Sequence, residues 1–266
     1  MNSLIYMSFS AMARAITTAA LLALPLGPSG LSAQTTDHIA LGDVDHAALN
    51  ASSALRHYED AIRADPKSYE ALWKATRDAV DLGEFAPDEK ERDRLFTVAE
   101  QYARRAVEVN PADATGQFQL SRALGRRALS ISDRNRVVRY ATEVHSAAVE
   151  ALRLDPKHAG ALHVLGMWHY NVKRQNRFML LFAKAFFGGK VFNLANWGDA
   201  QRMMEEAVAI EPARIVHHLD LGRVYAARNE ARKAAEQYQL AIQLPAKELN
   251  DQHYQDEARK ELERNK

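Results

Sequence analysis

The chain has 266 residues, of which 47% are hydrophobic and 26% charged, a composition typical of a globular protein. Its 35 basic side chains nearly balance its 34 acidic ones, so it lacks the basic excess of a nucleic-acid-binding domain. It contains no cysteine, which excludes disulfides, thiolate metal sites and thiol nucleophiles.

Residues 1–33 have the pattern of a secretory signal peptide. Arg14 is their single charged side chain, and an apolar run of about a dozen residues follows it. This run is shorter than the ~20 residues that cross a membrane as a helix. We therefore expect cleavage after Ala33 and an exported chain, periplasmic or extracellular, that is soluble once the signal peptide is removed. The alternatives are a membrane anchor or a start codon at Met7 or Met12.

Residues 34–50 are interpreted as a linker or partial repeat, and residues 51–266 as a repeat domain. Five segments of this domain end in a proline, and four of them have alanine five residues before it. The prolines are spaced by 45, 45, 56 and 33 residues, and they are Pro66, Pro111, Pro156, Pro212 and Pro245. We call the residues from this alanine to the proline the proline phrase. Because proline ends one helix and can open the next, the proline phrase predicts helix–turn–helix units that stack to bury their apolar faces.

The last of these units matches the 34-residue tetratricopeptide pattern, which places small residues where two helices cross. The matching positions are Leu221, Gly222, Tyr225, Ala234, Tyr238 and Ala241. The preceding unit supplies Leu165, Gly166, Ala200, Met204 and Ala207, and earlier units supply Ala54, Tyr58, Ala61, Ala99, Ala103 and Ala106. We predict an all-α fold, a right-handed α-α superhelical solenoid of about four to five helix pairs. A C-terminal capping helix is expected near Asp251–Glu263.

Units longer than the 34 residues of the tetratricopeptide repeat predict where helices are lengthened or a segment is inserted. The two units of 45 residues predict longer helices with turns near Asp81–Asp88 and Ser130–Asn135. The unit of 56 residues predicts an apolar insertion at about 171–196. The insertion is rich in phenylalanine and contains Phe178, Phe182, Phe186 and Phe187. Because surface loops are usually polar, we expect it to be buried against the solenoid, held by a partner or in contact with lipid.

The C-terminal half, from Ala151 to Leu262, also has a more specific pattern. It runs through Leu165-Gly166-Met167-Trp168-His169-Tyr170, Phe187-Gly188, Ala200, Ala207, Pro212, Leu221-Gly222, Tyr225 and Leu244-Pro245. This pattern resembles the regulator of microtubule dynamics family. The resemblance implies an α-helical repeat domain without catalytic residues, and some relatives are associated with lipid binding at membrane contacts. The microtubule role is not carried over, because this chain is predicted to be exported.

The first helix of each pair in a tetratricopeptide array lines the concave face, and its positions 5 and 9 lie one turn apart. Counting from each proline, position 5 is Trp73, Phe118, His163 or Leu219, and position 9 is Arg77, Arg122, Met167 or Arg223. These eight residues, with Tyr170 nearby, form the predicted groove. Arginine beside apolar side chains favours a peptide with carboxylates or an anionic amphiphile. The alternative is that each arginine pairs with a nearby acid, such as Glu70 or Asp78.

Motifs of catalysis are absent from the sequence. His163 and His169 are six residues apart and His217 and His218 are adjacent, so neither pair shares one face of a helix. We find no zinc-binding His spacing, no nucleophile elbow and no phosphate-binding loop. We therefore expect no enzymatic activity, no cofactor and no metal.

These observations together predict a non-catalytic exported repeat scaffold that binds a protein or peptide partner through its concave groove. The alternative function is a carrier of a lipid or anionic amphiphile, which would use the groove and the aromatic insertion. A third hypothesis is self-association through that insertion. We expect no binding of nucleic acid.

Overall fold

A computed structural model of the chain describes residues 37–175 and 189–265. Within these ranges the backbone forms eleven α-helices and one short 3-10 helix, and it contains no strand. The α-helices are α1 His38–Ala47, α2 Ala51–Ala64, α3 Tyr69–Glu84, α4 Glu89–Val109, α5 Ala114–Ser130, α6 Arg134–Leu154, α7 Ala159–Arg174, α8 Trp197–Ile210, α9 Ile215–Ala227, α10 Ala231–Gln243 and α11 Asp251–Arg264. The 3-10 helix spans Gly189–Leu194. The predicted all-α class is confirmed.

The helices pack in successive pairs, which are α1 with α2, α3 with α4, α5 with α6, α7 with α8, and α9 with α10. Each pair contacts the next, so the described chain is a helical solenoid, as predicted. Helix α11 packs against α9 and α10 at the position expected for a capping helix. The turns after α3 and α5 occupy residues 85–88 and 131–133, within the two regions where the longer units predicted them.

The proline phrase ends helices by local hydrogen bonding. Asp65 adopts an extended conformation after α2, as is usual before a proline, and its carboxylate accepts a hydrogen bond of 2.9 Å from the amide of Lys67. Asp155 makes the same turn after α6, with 3.0 Å to the amide of Lys157. The side chain of Ser68 then caps the N-terminus of α3. The acid of the phrase therefore satisfies the turn between two helix pairs.

Small residues allow the two helices of a pair to cross closely, as the tetratricopeptide pattern predicts. A Cβ atom added to Gly222 would lie 2.4 Å from the ring of Tyr238, and one added to Gly42 would lie 2.4 Å from the ring of Tyr58. The segment 34–50 thus contributes α1 to a helix pair packed like α9 with α10. The predicted crossing alanines that are fully buried are Ala54, Ala99, Ala103, Ala106, Ala200, Ala207, Ala234 and Ala241.

The C-terminal helix and the residue before it also contact the end of α3 and the turn that follows it, far away along the chain. The side-chain amide of Asn250 donates a hydrogen bond of 2.9 Å to the carbonyl of Asp81, across 169 residues. The hydroxyl of Tyr254 donates to Glu84 at 2.9 Å, and the ring of His253 stacks on Phe85 at 4.2 Å. We call these contacts the closing contacts. They join the first half of the solenoid to its last helix, so the groove predicted along the inner face is closed at this point.

Among the described helices, none combines the length and apolar character needed to span a bilayer. The predicted signal peptide and the phenylalanines Phe178, Phe182, Phe186 and Phe187 of the predicted insertion lie outside the described residues.

Candidate binding cavity

The inner face encloses a cavity of about 370 Å³. Its walls come from α5, α6, α7 and α9, together with residues 248–251 and 254. These elements meet because the solenoid curves round until its last helix makes the closing contacts. A volume of a few hundred Å³ is typical of small-molecule sites.

One wall of the cavity is apolar and is built mainly from β-branched side chains. The wall contains Val137, Val138, Val144, Val164, Val172 and Phe192. Trp168 also lines the cavity, with its ring stacked on Phe192 at 6.0 Å and its indole nitrogen donating a hydrogen bond of 2.7 Å to the carbonyl of Ala141. The polar atom of Trp168 is therefore satisfied, and this wall presents apolar surface to the cavity.

The rest of the lining includes charged side chains, and its arginines are paired with acids. Arg122 forms an ion pair with Asp81, and Arg126 lies 2.5 Å from Glu84. Arg214 pairs with Glu248 of the segment before α11. Since each guanidinium already binds a carboxylate, these arginines do not present an unpaired guanidinium group to an anionic ligand.

The charges that line the cavity are more acidic than basic. The carboxylates in its lining are those of Asp81, Glu211, Asp220, Glu248 and Asp251, and the guanidiniums are those of Arg122, Arg126 and Arg214. The attraction of nearby acids outweighs burial and raises the pKa of Arg122 far above its usual value, so it stays charged. The described lining therefore favours neutral or cationic groups at the polar end of a ligand.

Asp220 is the centre of a buried ionic cluster on α9. Its carboxylate lies 2.8 Å from Nε2 of His163 and accepts a hydrogen bond of 2.9 Å from Arg223. Arg223 also donates to Glu257 of α11 at 2.7 Å. Although burial opposes ionisation, the partners of Asp220 hold the pKa of its carboxyl well below the usual value. The cluster joins α7, α9 and α11, and its members Asp220 and His163 also line the cavity.

His217 is a buried imidazole at the cavity wall, and its Nδ1 atom has no hydrogen-bond partner in the described structure. Its ring lies 4.8 Å from the ring of His163. Burial lowers the pKa of His217 to about 2, and the charges of His163 and Arg214 act in the same direction. The folded protein therefore holds His217 neutral throughout the ordinary pH range.

Acid should destabilise the protein in part through His217. Below about pH 6.5 the imidazole of His217 binds a proton in the unfolded state but not in the folded state. The free energy of unfolding therefore falls as the pH falls. The His217→Leu variant should reduce this slope by about 1.4 kcal/mol per pH unit between about pH 6 and pH 4. Urea unfolding at several pH values measures the slope.

A matched control for this experiment is Val216→Leu, since Val216 lines the same cavity and has no titratable group. We expect this variant to keep the wild-type slope. An unchanged slope in His217→Leu would show that the imbalance in proton uptake does not arise at His217.

Four of the nine predicted groove residues line the cavity, and they are Phe118, Arg122, His163 and Met167. The other five lie elsewhere in the described structure. Tyr170 packs edge-on against Trp197 at 6.0 Å, and Leu219 is fully buried in the core. Trp73 packs against the core and lies under the guanidinium of Arg77 at 5.5 Å.

The arginines of the predicted groove follow the alternative interpretation, in which each pairs with an acid. Nε of Arg77 donates a hydrogen bond of 2.8 Å to the buried carboxylate of Asp78. Arg122 pairs with Asp81 and Arg223 with Asp220, as described above. Sequence analysis missed two acids that line the cavity, Glu248 and Asp251, because nothing in the repeat spacing brings them to the inner face.

The class of protein follows from the stacked helix pairs, the small crossing residues and the curved inner face, which together define a tetratricopeptide-like repeat scaffold. The pattern of the family described as "Regulator of microtubule dynamics protein 1-3" matches residues 37–266, and the chain belongs to that family. A scaffold of this type is typically non-catalytic.

Two animal relatives show the extent of the similarity. Regulator of microtubule dynamics protein 1 of Mus musculus is 26% identical over 197 residues, which cover 71% of this chain and 62% of the mouse protein. The Bos taurus protein of the same name is 24% identical over 194 residues, which cover 71% of this chain and 59% of the relative. The chain thus spans about three fifths of the length of these curated relatives.

Solved structures share the fold at low sequence identity. A thermophilic TPR protein from Thermus thermophilus superposes with a TM-score of 0.61 and 21% identity, covering 83% of this chain and 96% of that one. The pilF protein of Pseudomonas aeruginosa has a TM-score of 0.50 and 15% identity, covering 85% and 89% of the two chains. These similarities support the fold of the chain.

Proposed function

We propose that the chain is a non-catalytic scaffold that binds a segment of a protein partner in the cavity. The observation that carries this proposal is the cavity itself, whose lining combines an apolar wall with charged, hydrogen-bonding side chains. Apolar side chains of the partner would enter against Val138, Val164 and Phe192, and the burial of apolar surface would drive binding. The inner face of the solenoid would supply the hydrogen bonds that orient the segment.

The charges of the lining select the kind of segment. Because its carboxylates outnumber its guanidiniums, and because Arg122, Arg126 and Arg214 are already paired, an acidic peptide would have to displace existing ion pairs. A segment with lysine, arginine or neutral donors beside apolar side chains would instead add favourable contacts. This proposal replaces the carboxylate-bearing peptide expected from the sequence.

A second candidate ligand is a lipid or other amphiphile, and the volume and apolar wall of the cavity favour it. A volume of about 370 Å³ can hold part of an acyl chain. The acidic excess of the lining favours a zwitterionic or uncharged head group over the anionic one expected from the sequence. The two candidate ligands can be distinguished, because a peptide segment would be recovered as a crosslinked protein and an amphiphile as a bound lipid.

Photo-crosslinking in cells tests the first candidate directly. Met167 lines the cavity, so the Met167→p-benzoylphenylalanine chain should form a discrete adduct with a protein when irradiated. Val138→Trp, which fills the apolar wall, should remove that adduct. Val149→Trp is a matched control on the same helix α6, because Val149 is 44% exposed and does not line the cavity, and it should keep the adduct.

The outcomes separate the candidates. A protein adduct that survives Val138→Trp would contradict binding in the cavity, and so would the absence of any adduct. Native mass spectrometry of the wild-type chain would assign the site to an amphiphile if it showed a bound lipid that Val138→Trp removes. Thermal unfolding of both tryptophan variants checks that each remains folded.

Export is part of the same proposal and rests on the pattern of residues 1–33. The chain recovered from the crosslinking cells should therefore have the intact mass of residues 34–266, and an uncleaved mass would contradict export. We do not include the microtubule role in the names of the relatives, because an exported partner would be of another kind.

A further inference from the structure

The first helix pair brings two histidines and an aspartate to one point on its surface. His38 is the first residue of α1, and His57 and Asp60 lie one turn apart on α2. The Nδ1 atoms of His38 and His57 are 3.1 Å apart, and a carboxylate oxygen of Asp60 lies 3.7 Å from Nδ1 of His38. One ligand atom from each of the three residues lies within 4.8 Å of the other two.

This spacing is close to that of ligands on one metal ion. A tetrahedral ion with bonds of about 2.0–2.1 Å to nitrogen holds two such nitrogens roughly 3.3 Å apart. Without an ion, a hydrogen bond at this distance requires one ring to donate its Nδ1 proton to the other. All three side chains are half-buried, so the group is partly desolvated and still open to an ion from solvent.

A further carboxylate lies where the surroundings of a metal site usually place one. Asp45 of α1 has a carboxylate oxygen 3.6 Å from Nε2 of His57, on the side of the ring away from His38. This distance is longer than a hydrogen bond, so the carboxylate acts on the ring through its charge, which favours the tautomer that has its proton on Nε2 and leaves Nδ1 free as a ligand. The other oxygen of Asp60 pairs with Arg63, whose side chain is 71% exposed. The metal-facing oxygen of Asp60 is therefore not the one in that pair.

We propose that His38, His57 and Asp60 bind one divalent transition-metal ion of the Zn²⁺ type. Two imidazole nitrogens and one carboxylate oxygen are ligands that suit this class, and water would complete the coordination. The bound ion would tie the first turn of α1 to α2. This matters at the end of a solenoid, where α1 packs mainly on α2 and lacks a preceding helix among the described residues. The site is separate from the cavity and does not depend on its ligand.

Titration with Zn²⁺ tests the site in the full chain purified without a polyhistidine tag. Calorimetry of the wild type should include one equivalent that is lost in His38→Gln and in Asp60→Asn. His253→Gln is the matched control, because His253 is exposed and belongs to α11, not to the first helix pair, and it should keep that equivalent. Zn²⁺ should also raise the melting temperature of the wild type and of His253→Gln, and it should raise it less in the two ligand variants.

Asp45→Asn provides a second measurement that leaves all three ligands in place. We expect it to weaken Zn²⁺ binding by about tenfold, with an unchanged stoichiometry, because it removes the negative charge beside Nε2 of His57. Helical circular dichroism without metal checks that each variant is folded. Equal Zn²⁺ stoichiometry and affinity in the wild type, His38→Gln and Asp60→Asn would overturn the proposal, as would a wild type that binds no Zn²⁺.

Discussion

Replacing Asp220 with alanine is expected to lower the free energy of unfolding by about 3 kcal/mol, the cost of removing one partner from a buried ionic group. The carboxylate is buried and joins His163 of α7 to Arg223 of α9. Its loss would leave His163 without its acid and would reduce the pairing of Arg223 to Glu257 and Glu261. Urea unfolding at pH 7 measures the loss.

The direction of the pH effect follows from the lowered pKa of Asp220. A carboxyl whose pKa is lower in the folded state stabilises the protein above its unfolded pKa, near 4. This stabilisation is lost as the pH falls below that value. The difference in stability between the wild type and Asp220→Ala should therefore be largest at neutral pH and should shrink in acid.

Asp256→Ala is a matched control for the effect of burial. Asp256 and Arg259 form the same type of pair, three residues apart on one helix, but their side chains are 63% and 50% exposed. Solvent screens such a pair, so its loss should change the free energy of unfolding by less than about 0.5 kcal/mol. Similar losses in the two variants would show that burial of Asp220 is not what makes its pairing important.

The Gly222→Ala variant should lose about 2 kcal/mol of stability through overpacking. The new methyl group would lie 2.4 Å from the ring of Tyr238. That ring is fully buried, so it has no room to move without displacing the core between α9 and α10. Urea unfolding measures the change.

Gly125→Ala is the same substitution at a position with space, because the nearest atom to its methyl group, in Val144, is 4.0 Å away. Alanine is a better helix former than glycine, so this variant should gain roughly 0.5–1 kcal/mol. The two glycines should thus respond with opposite signs. A stabilised Gly222→Ala would show that the close crossing of α9 and α10 can relax.

The fold could be predicted from the sequence because its determinants are local and repeated. Pro66 and Pro156 follow an acid that satisfies the turn, so the phrase marks helix ends by itself. Gly222 and Tyr238 stand at fixed positions of one unit and meet within one helix pair. Helix ends and close helix crossings that depend only on residues of one repeat can therefore be predicted from the spacing of those residues in the sequence.

The cavity depends on contacts between distant repeats, and repeat spacing carries no information about these. Arg122 was expected to face a ligand, but Asp81 lies beside it from a helix 41 residues earlier. The closing contacts of Asn250 and Tyr254 span 169 and 170 residues. The meeting of His38 and His57 likewise depends on how α1 crosses α2, which a search for motifs on one helix does not detect.

The closing contacts also set when the cavity can first bind a ligand during synthesis of the chain. The early helix pairs can fold as they leave the ribosome, because each needs only its neighbours. The cavity wall at Asn250 and Tyr254, however, is made last and must reach back to Asp81 and Glu84. A nascent chain that ends before Asn250 would therefore carry most of the described helices and an incomplete cavity, so a ligand of this site would bind only to chains that extend past Tyr254.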